Sequence, residues 1–210
     1  SQQIGRNANI RSIARYNVKY LIGRPARFDQ PQFSGSTVAS VPDYDLALVR
    51  NPVPVTPRAY LSKRPEALSS GAPILSFLDR EDFLRGEVDV VEGVSDLLPD
   101  PLKEGHAAIL EYRPERIRVA VETPQPAVLV LTDAFEPGWE AKIDGGDLLP
   151  ILRANGLVRA VVIPAGKFQV LYHYETPLLR VGGWLSLTGV IISLFLILKG
   201  WGRMRVYPTS

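Results

Sequence analysis

The sequence contains no cysteine. That removes disulfides, thiolate metal sites and cysteine nucleophiles, and leaves the compartment open. Histidine is nearly absent too, with only His106 and His173 present. No HExxH, Walker A, GxGxxG or nucleophile-elbow pattern occurs. Acidic residues are missing from both ends: residues 1–27 hold six basic side chains and no acid, and residues 178–210 hold four basic and no acid. Between them, residues 28–177 carry 14 basic and 22 acidic side chains, so the formal net charge of +2 conceals an acidic body. Such a body disfavours a nucleic-acid partner. The 17 glycines and 18 prolines argue against a long helical bundle and for short elements joined by turns. A hydrophobic content of 46% excludes a disordered chain. The first residue is Ser, which we read as the start of a fragment or a processed product.

What is present begins with one long apolar run. Val181–Leu198 has 18 residues without a charge. At 1.5 Å per residue a helix of that length spans roughly 27 Å, close to a hydrocarbon core. Leu178, Leu179 and a snorkelling Arg180 extend it, and Trp184 and Trp201 suit the two interfaces. We expect a transmembrane helix over residues 178–198 and a partner in the lipid bilayer. Lys199, Arg203 and Arg205 follow directly, so the positive-inside rule places the tail, residues 199–210, in the cytoplasm and residues 1–177 outside it, at the cell membrane.

Before this run the pattern is that of a β protein. Asn9 can cap a short helix over Ile10–Tyr16, and Asn17–Gly23 reads as a strand. The basic residues here read either as a solvated helix face or as a patch touching lipid headgroups. Residues 24–43 read as loop. Asp45–Arg50, Arg58–Lys63 and Glu87–Glu92 are strand candidates, Pro73–Leu78 a short helix and Asp79–Gly86 a turn or 3₁₀ segment. From Gly105 onward seven strands follow at regular intervals, the signature of a sandwich. Arg116–Glu122 alternates strictly, with Ile117, Val119 and Val121 on one face. Ala127–Thr132 is continuously apolar, as expected of a strand buried on both faces. Leu148–Arg153 and Leu157–Ile163 flank Asn155-Gly156, the strongest hairpin signal in the chain. The fold expected is mainly β. An antiparallel, jelly-roll-like sandwich (105–177) is preceded by a small α+β segment (1–104) and followed by the membrane helix.

Candidate chemistry is sparse. Asp133 and Glu136 share a loop and could serve glycoside chemistry, or simply be solvated acids. Asp144 and Asp147 flank a Gly-Gly turn and could hold a Ca²⁺ with backbone carbonyls, but two carboxylates are too few for a good loop site and such turns favour Asp anyway. Trp139 can stack on a sugar ring or pack in the core. No catalytic residue, metal ligand or cofactor site is expected in this stretch.

Asp133-Ala-Phe-Glu-Pro-Gly-Trp-Glu-Ala-Lys-Ile-Asp144-Gly resembles a segment of the bacterial YfhO membrane-protein family. Asn17-Val-Lys-Tyr20, Asn51-Pro52 with Pro57-Arg58-Ala59-Tyr60, Arg153-Ala-Asn-Gly156, Ile163-Pro-Ala-Gly-Lys167 and Tyr174-Glu-Thr-Pro177 resemble other stretches of that family, in the same order. The resemblance implies a large multi-pass protein related to GT-C glycosyltransferases, which take a polyprenyl-phosphate sugar and decorate cell-envelope glycan. It implies that these residues form the C-terminal extracytoplasmic accessory domain and last membrane helix. The catalytic carboxylate of such enzymes lies in an early loop, so none is assigned here. Asp133, Pro137, Gly138, Trp139 and Asp144 are carried over as family-motif positions and potential glycan contacts. The competing expectation is a non-catalytic glycan-binding or envelope-assembly module held by one membrane helix.

Overall fold

The computed structural model describes residues 10–68, 74–93, 98–144, 146–175 and 179–203. Asn9, Leu178 and the tail from residue 204 lie outside them. The chain divides into two units, Ser1–His173 and Tyr174–Ser210.

The first unit opens with helix α1 (Ile10–Arg15) and a small antiparallel sheet of β1 (Tyr20–Gly23), β2 (Thr37–Val41) and β3 (Leu46–Arg50), in the order β1-β3-β2. Phe33, Ala47 and Val49 form its core. Residues 24–43, expected as loop, contain β2. All five β2 residues are exposed, so the strand carries no alternation to read. Asn17–Gly23 is strand only from Tyr20, because Asn17 takes a left-handed φ of 60°.

Two larger sheets face each other. One has six strands in the order β4 (Ala59–Leu61), β9 (Ala127–Ala134), β13 (Val158–Ile163), β12 (Leu152–Ala154), β6 (Asp89–Glu92) and β5 (Pro65–Leu68). The other has five, in the order β11 (Leu148–Leu149), β10 (Trp139–Ile143), β14 (Gly166–Tyr174), β8 (Arg116–Thr123) and β7 (His106–Arg113). The chain crosses repeatedly between them, so β8 pairs with β14 in one sheet and β9 with β13 in the other. This nesting is jelly-roll-like. Ile117, Val119 and Val121 of β8 meet Ala127, Leu129, Leu131, Val161 and Ile163 between the sheets. Each fully buried Val, Leu or Ile side chain among these contributes about 1.5–3 kcal/mol.

The outer face of the six-stranded sheet is covered as well. Val128, Val130, Val158 and Ala160 pack there with Tyr16 and Tyr60. That second layer explains the unbroken apolar run of β9. The sheet takes strands from both sides of residue 104, so the expected division there falls within one sheet. β5 and β6 pair in parallel. A parallel pair needs a crossover, supplied by α2 (Ile74–Leu78) and α3 (Glu81–Leu84). The latter is one α-helical turn inside the stretch expected as a turn or 3₁₀ segment.

Leu148–Arg153, expected as one strand, is two. Pro150 lies between them, and β11 and β12 belong to different sheets. Proline removes the ladder donor at the point where the chain changes sheet. The Asn155-Gly156 hairpin has both residues at positive φ, 50° and 72°. Leu157 N–H donates to Ala154 O at 3.1 Å across the turn. A side chain at Gly156 would also meet Ile74 Cγ1 at 2.8 Å.

Beneath the outer layer lies a buried polar hub. One oxygen of Asp89, Oδ1, accepts from Arg15 Nη2 (2.7 Å), Tyr60 Oη (2.6 Å) and Asn155 Nδ2 (2.8 Å). Asn155 Oδ1 accepts from Val90 N–H at 2.9 Å, and Tyr16 Oη donates to Asn155 O at 2.7 Å. Arg15 and Asp89 are 6% and 1% exposed. Arg15 is therefore neither on a solvated helix face nor free for lipid. Arg11 is ion-paired with Glu81 at 2.9 Å.

The second unit contains helix α4 (Leu179–Arg203), of 25 residues. It begins one residue after the expected start and runs five beyond the expected end. Its Gly182–Lys199 stretch has a mean hydropathy of 1.7 and is nowhere buried. It is thus long and apolar enough to cross a membrane. Thr188 Oγ1 donates to Leu185 O (2.8 Å) and Ser193 Oγ to Gly189 O (2.9 Å), so both hydroxyls are satisfied within the helix, as lipid requires.

Two predictions follow from the hub. Asp89→Ala leaves a buried guanidinium unpaired and costs about 3–5 kcal/mol in urea unfolding, against about 1 kcal/mol for Tyr60→Phe. Equal costs would contradict the hub's role. Burial raises the hydroxyl of Tyr16 to about 12, and burial together with Asp89 raises that of Tyr60 well above its ordinary value. Folded-state values above the unfolded value of about 10 stabilise the fold fully below pH 10. That stability is lost as pH rises from about 10 towards 12, which alkaline unfolding followed by tyrosinate absorbance will show.

Candidate functional site: the mouth of the sandwich

On β9 the inward-facing row runs Leu129, Leu131, Asp133; on β13 it runs Ile163, Val161, Arg159. Both rows are apolar within the core and end in a charge. Arg159 is 4% exposed, and its Nη2 lies 3.7 Å from Asp133 Oδ2. The Pro137-Gly138 turn then carries the chain across to the facing sheet. Proline presets φ at the first turn position, and Gly138 takes a φ of 100°, which side-chain-bearing residues rarely adopt. The crossing delivers Trp139 at the start of β10, half-buried, with the Arg159 guanidinium 3.8 Å from its ring centre. That separation is well within cation–π range.

Two further side chains complete the mouth. Arg58, just before β4, lies with its guanidinium 4.5 Å from the Tyr112 ring centre and its Nη1 3.9 Å from Asp133 Oδ1. Tyr112 Oη donates to the same oxygen at 3.3 Å. Tyr172 of β14 is buried nearby. Within the described residues, Arg159 Nε and Nη1, Asp133 Oδ2 and Tyr172 Oη have no hydrogen-bond partner.

The electrostatics follow from this burial. Desolvation pulls the Arg159 guanidinium below its ordinary value, opposed by Asp133. Desolvation pushes the Tyr172 hydroxyl up, and desolvation followed by Asp133 pushes Tyr112 up. The cluster holds two cations, one carboxylate and three aromatic rings. It offers an aromatic surface and hydrogen-bonding groups, but not a pair of carboxyl groups on one cleft. Glu136 is exposed in the crossing loop. Asp144 is exposed at the far end of β10, some five residues or about 17 Å of strand from Trp139. Its N–H is tied to Gln169 O at 3.0 Å. Of the motif positions, Asp133, Pro137, Gly138 and Trp139 come together and Asp144 does not.

Arg58, Tyr112, Arg159 and Tyr172 were not among the expected site residues. Arg159 had a readable signal, a lone charge inside an apolar strand. Arg58 lies within the Pro57-Arg58-Ala59-Tyr60 stretch. Tyr112 and Tyr172 had none, because their roles depend on which strands become neighbours.

No family model matches the chain, and no curated protein does. Among solved structures the chain is similar to the arabinofuranosyltransferase AftD from mycobacteria, at 27% identity and a TM-score of 0.31, over 38% of this chain and 6% of that one. Two classes of a mutant form of AftD match at 28% and 26% identity, with TM-scores of 0.33 and 0.31. They cover 43% and 49% of this chain, and each match covers 8% of the mutant. The chain thus spans less than a tenth of the protein it is similar to.

Asp133→Asn removes the negative charge beside a buried guanidinium and costs about 2–3 kcal/mol of stability. Tyr112→Phe, which removes one long, partly exposed hydrogen bond, costs no more than about 1 kcal/mol. Thermal unfolding of the two variants checks this, and a reversed order would contradict the account of the mouth.

Proposed function

We propose that the chain is the extracytoplasmic accessory part and the last membrane helix of a YfhO-like, GT-C-type glycosyltransferase that decorates cell-envelope glycan from a polyprenyl-phosphate sugar. The sandwich lies outside the cytoplasmic membrane and the tail after Leu198 inside. The charge asymmetry around α4 supports this orientation. The domain does not perform the transfer; it holds or covers the glycan at the mouth.

One observation carries the reading. The Asp133–Asp144 segment, which resembles the family segment, folds so that Trp139 sits half-buried beside Asp133 and Arg159. An indole offers an apolar face to a sugar ring, and the more exposed Arg58 and Tyr112, both bound to Asp133, offer hydrogen-bonding groups to hydroxyls. The same features suit a glycan-binding module without an attached transferase.

The test uses membranes containing the whole encoded protein, the same protein lacking residues 1–177, or its Trp139→Ala form. Each receives a labelled polyprenyl-phosphate sugar and an envelope fraction. Transfer is expected to require residues 1–177 and to fall about two- to tenfold in Trp139→Ala, matching an aromatic contact of about 0.5–1.5 kcal/mol. Glycan binding without transfer supports the binding module instead. Transfer independent of residues 1–177 overturns the accessory role.

A further inference from the structure

The small β1-β3-β2 sheet carries a cleft with two bays that the sandwich mouth does not use. The first bay has a volume of about 460 Å³ and is lined by Lys19, Tyr20, Arg50, Asn51 and the Pro52–Val55 segment. The second, about 360 Å³, is lined by residues 35–38 together with the same Arg50, Asn51 and Pro52. Arg50 therefore stands between them. The first bay is large enough for a small ligand.

Its charge is of one sign. Neither lining contains an acidic residue. Lys19 and Arg50 are exposed, and neither has a carboxylate partner among the described residues. This sets them apart from Arg11, Arg15, Arg64, Arg80 and Arg85, each paired with an acid within 3.2 Å. Arg27, Lys63 and Lys103 also lack a carboxylate partner among the described residues, but of these unpaired cations it is Lys19 and Arg50 that line the cleft together. The register sets Tyr20 opposite Arg50, with the guanidinium 6.0 Å from the ring centre. The second bay adds the residues Ser36 and Thr37, whose hydroxyls are potential donors.

The floor is fixed before any ligand arrives. Asn51 is 6% exposed. Its backbone N–H donates to Lys19 O at 2.8 Å, and its Nδ2 donates to Val18 O at 3.0 Å. Its Oδ1 accepts from Val53 N–H at 3.0 Å. Pro52 and Pro54 restrict φ in the wall. Little ordering is needed on binding, which favours affinity from few contacts. A guanidinium at the end of β3 and an ammonium just before β1, with hydroxyl-bearing residues beyond, match a group carrying more than one negative charge and several acceptor oxygens. Tyr20, Val53 and Val55 give the bay an apolar side for the remainder of such a molecule.

We propose that this cleft binds a phosphate group, with Lys19 and Arg50 as its cationic ligands and Tyr20 and the Pro52–Val55 wall holding the body that bears it. The phosphate belongs either to a lipid headgroup or to a soluble phosphate ester. The site lies on a different sheet from the mouth and does not depend on the glycan reading.

The test is NMR of the full chain in uncharged maltoside micelles, titrated separately with inorganic phosphate and with short-chain phosphatidylglycerol. Saturable amide shifts are expected at Lys19, Tyr20, Arg50 and Asn51. Lys19→Gln/Arg50→Gln should weaken them about tenfold or more, the loss expected for charge-assisted hydrogen bonds. Lys103→Gln/Arg113→Gln, which removes the same charge elsewhere, should leave them unchanged. Tighter binding of the phospholipid, displaced by phosphate, assigns the headgroup; equal or weaker binding assigns a soluble ester. Shifts that avoid these residues, or that persist in Lys19→Gln/Arg50→Gln, overturn the proposal, as does the absence of saturable binding by either probe.

Discussion

One buried carboxylate oxygen sets the geometry of the first unit. Asp89 Oδ1 gathers donors from α1, β4 and the β12–β13 turn, which lie 74, 29 and 66 positions from it in the chain. A carboxylate so buried is tolerable only when charge and lone pairs are both answered, and Arg15, Tyr60 and Asn155 do this together. The arrangement specifies as well as holds. Each donor reaches the oxygen from only one position in its own element, so the contact selects a single register.

That constraint lies on the outer face of the six-stranded sheet, and the mouth lies on its inner side. The two are connected through the backbone. Tyr60 enters the hub from β4, and Arg58, two residues earlier, reaches Asp133. Asn155 enters the hub from the turn, and β13 then carries Arg159 inward. A one-residue slip of β13 would turn Arg159 out of the core and put Val158 or Ala160 in its place. Stability on one side of the sheet thus positions the chemistry on the other.

Much of this was legible where signals were local. The alternation of Arg116–Glu122, the apolar run of β9, the Asn155-Gly156 turn and the apolar helix each rest on a few neighbouring residues, and each is present in the structure. The rest depends on pairing. β2 is exposed throughout and gives no pattern. β5 is recognisable only beside β6. The chain's change of sheet at Pro150 has a cause in the sequence but no sign of where the next strand goes. Arg15 looked like one of six basic residues at a solvated end, and only Asp89, far along the chain, makes it internal. The motif strips proved informative beyond their turns. Tyr60 and Asn155 serve the hub, Asn51 fixes the floor of the cleft, and Arg58 and Asp133 shape the mouth.

A sandwich with an aromatic, charged mouth and a helix fit to cross a membrane lie in one chain, and the proposed function joins them as a glycan-handling part of a membrane protein. The most direct test is the indole N–H resonance of Trp139 in the full chain in micelles, assigned with Trp139→Phe and titrated with oligosaccharides from the envelope of the source cells. The account predicts a saturable shift of that resonance together with the Asp133 and Arg159 amides. An unmoved Trp139 signal across saturating oligosaccharide would contradict it.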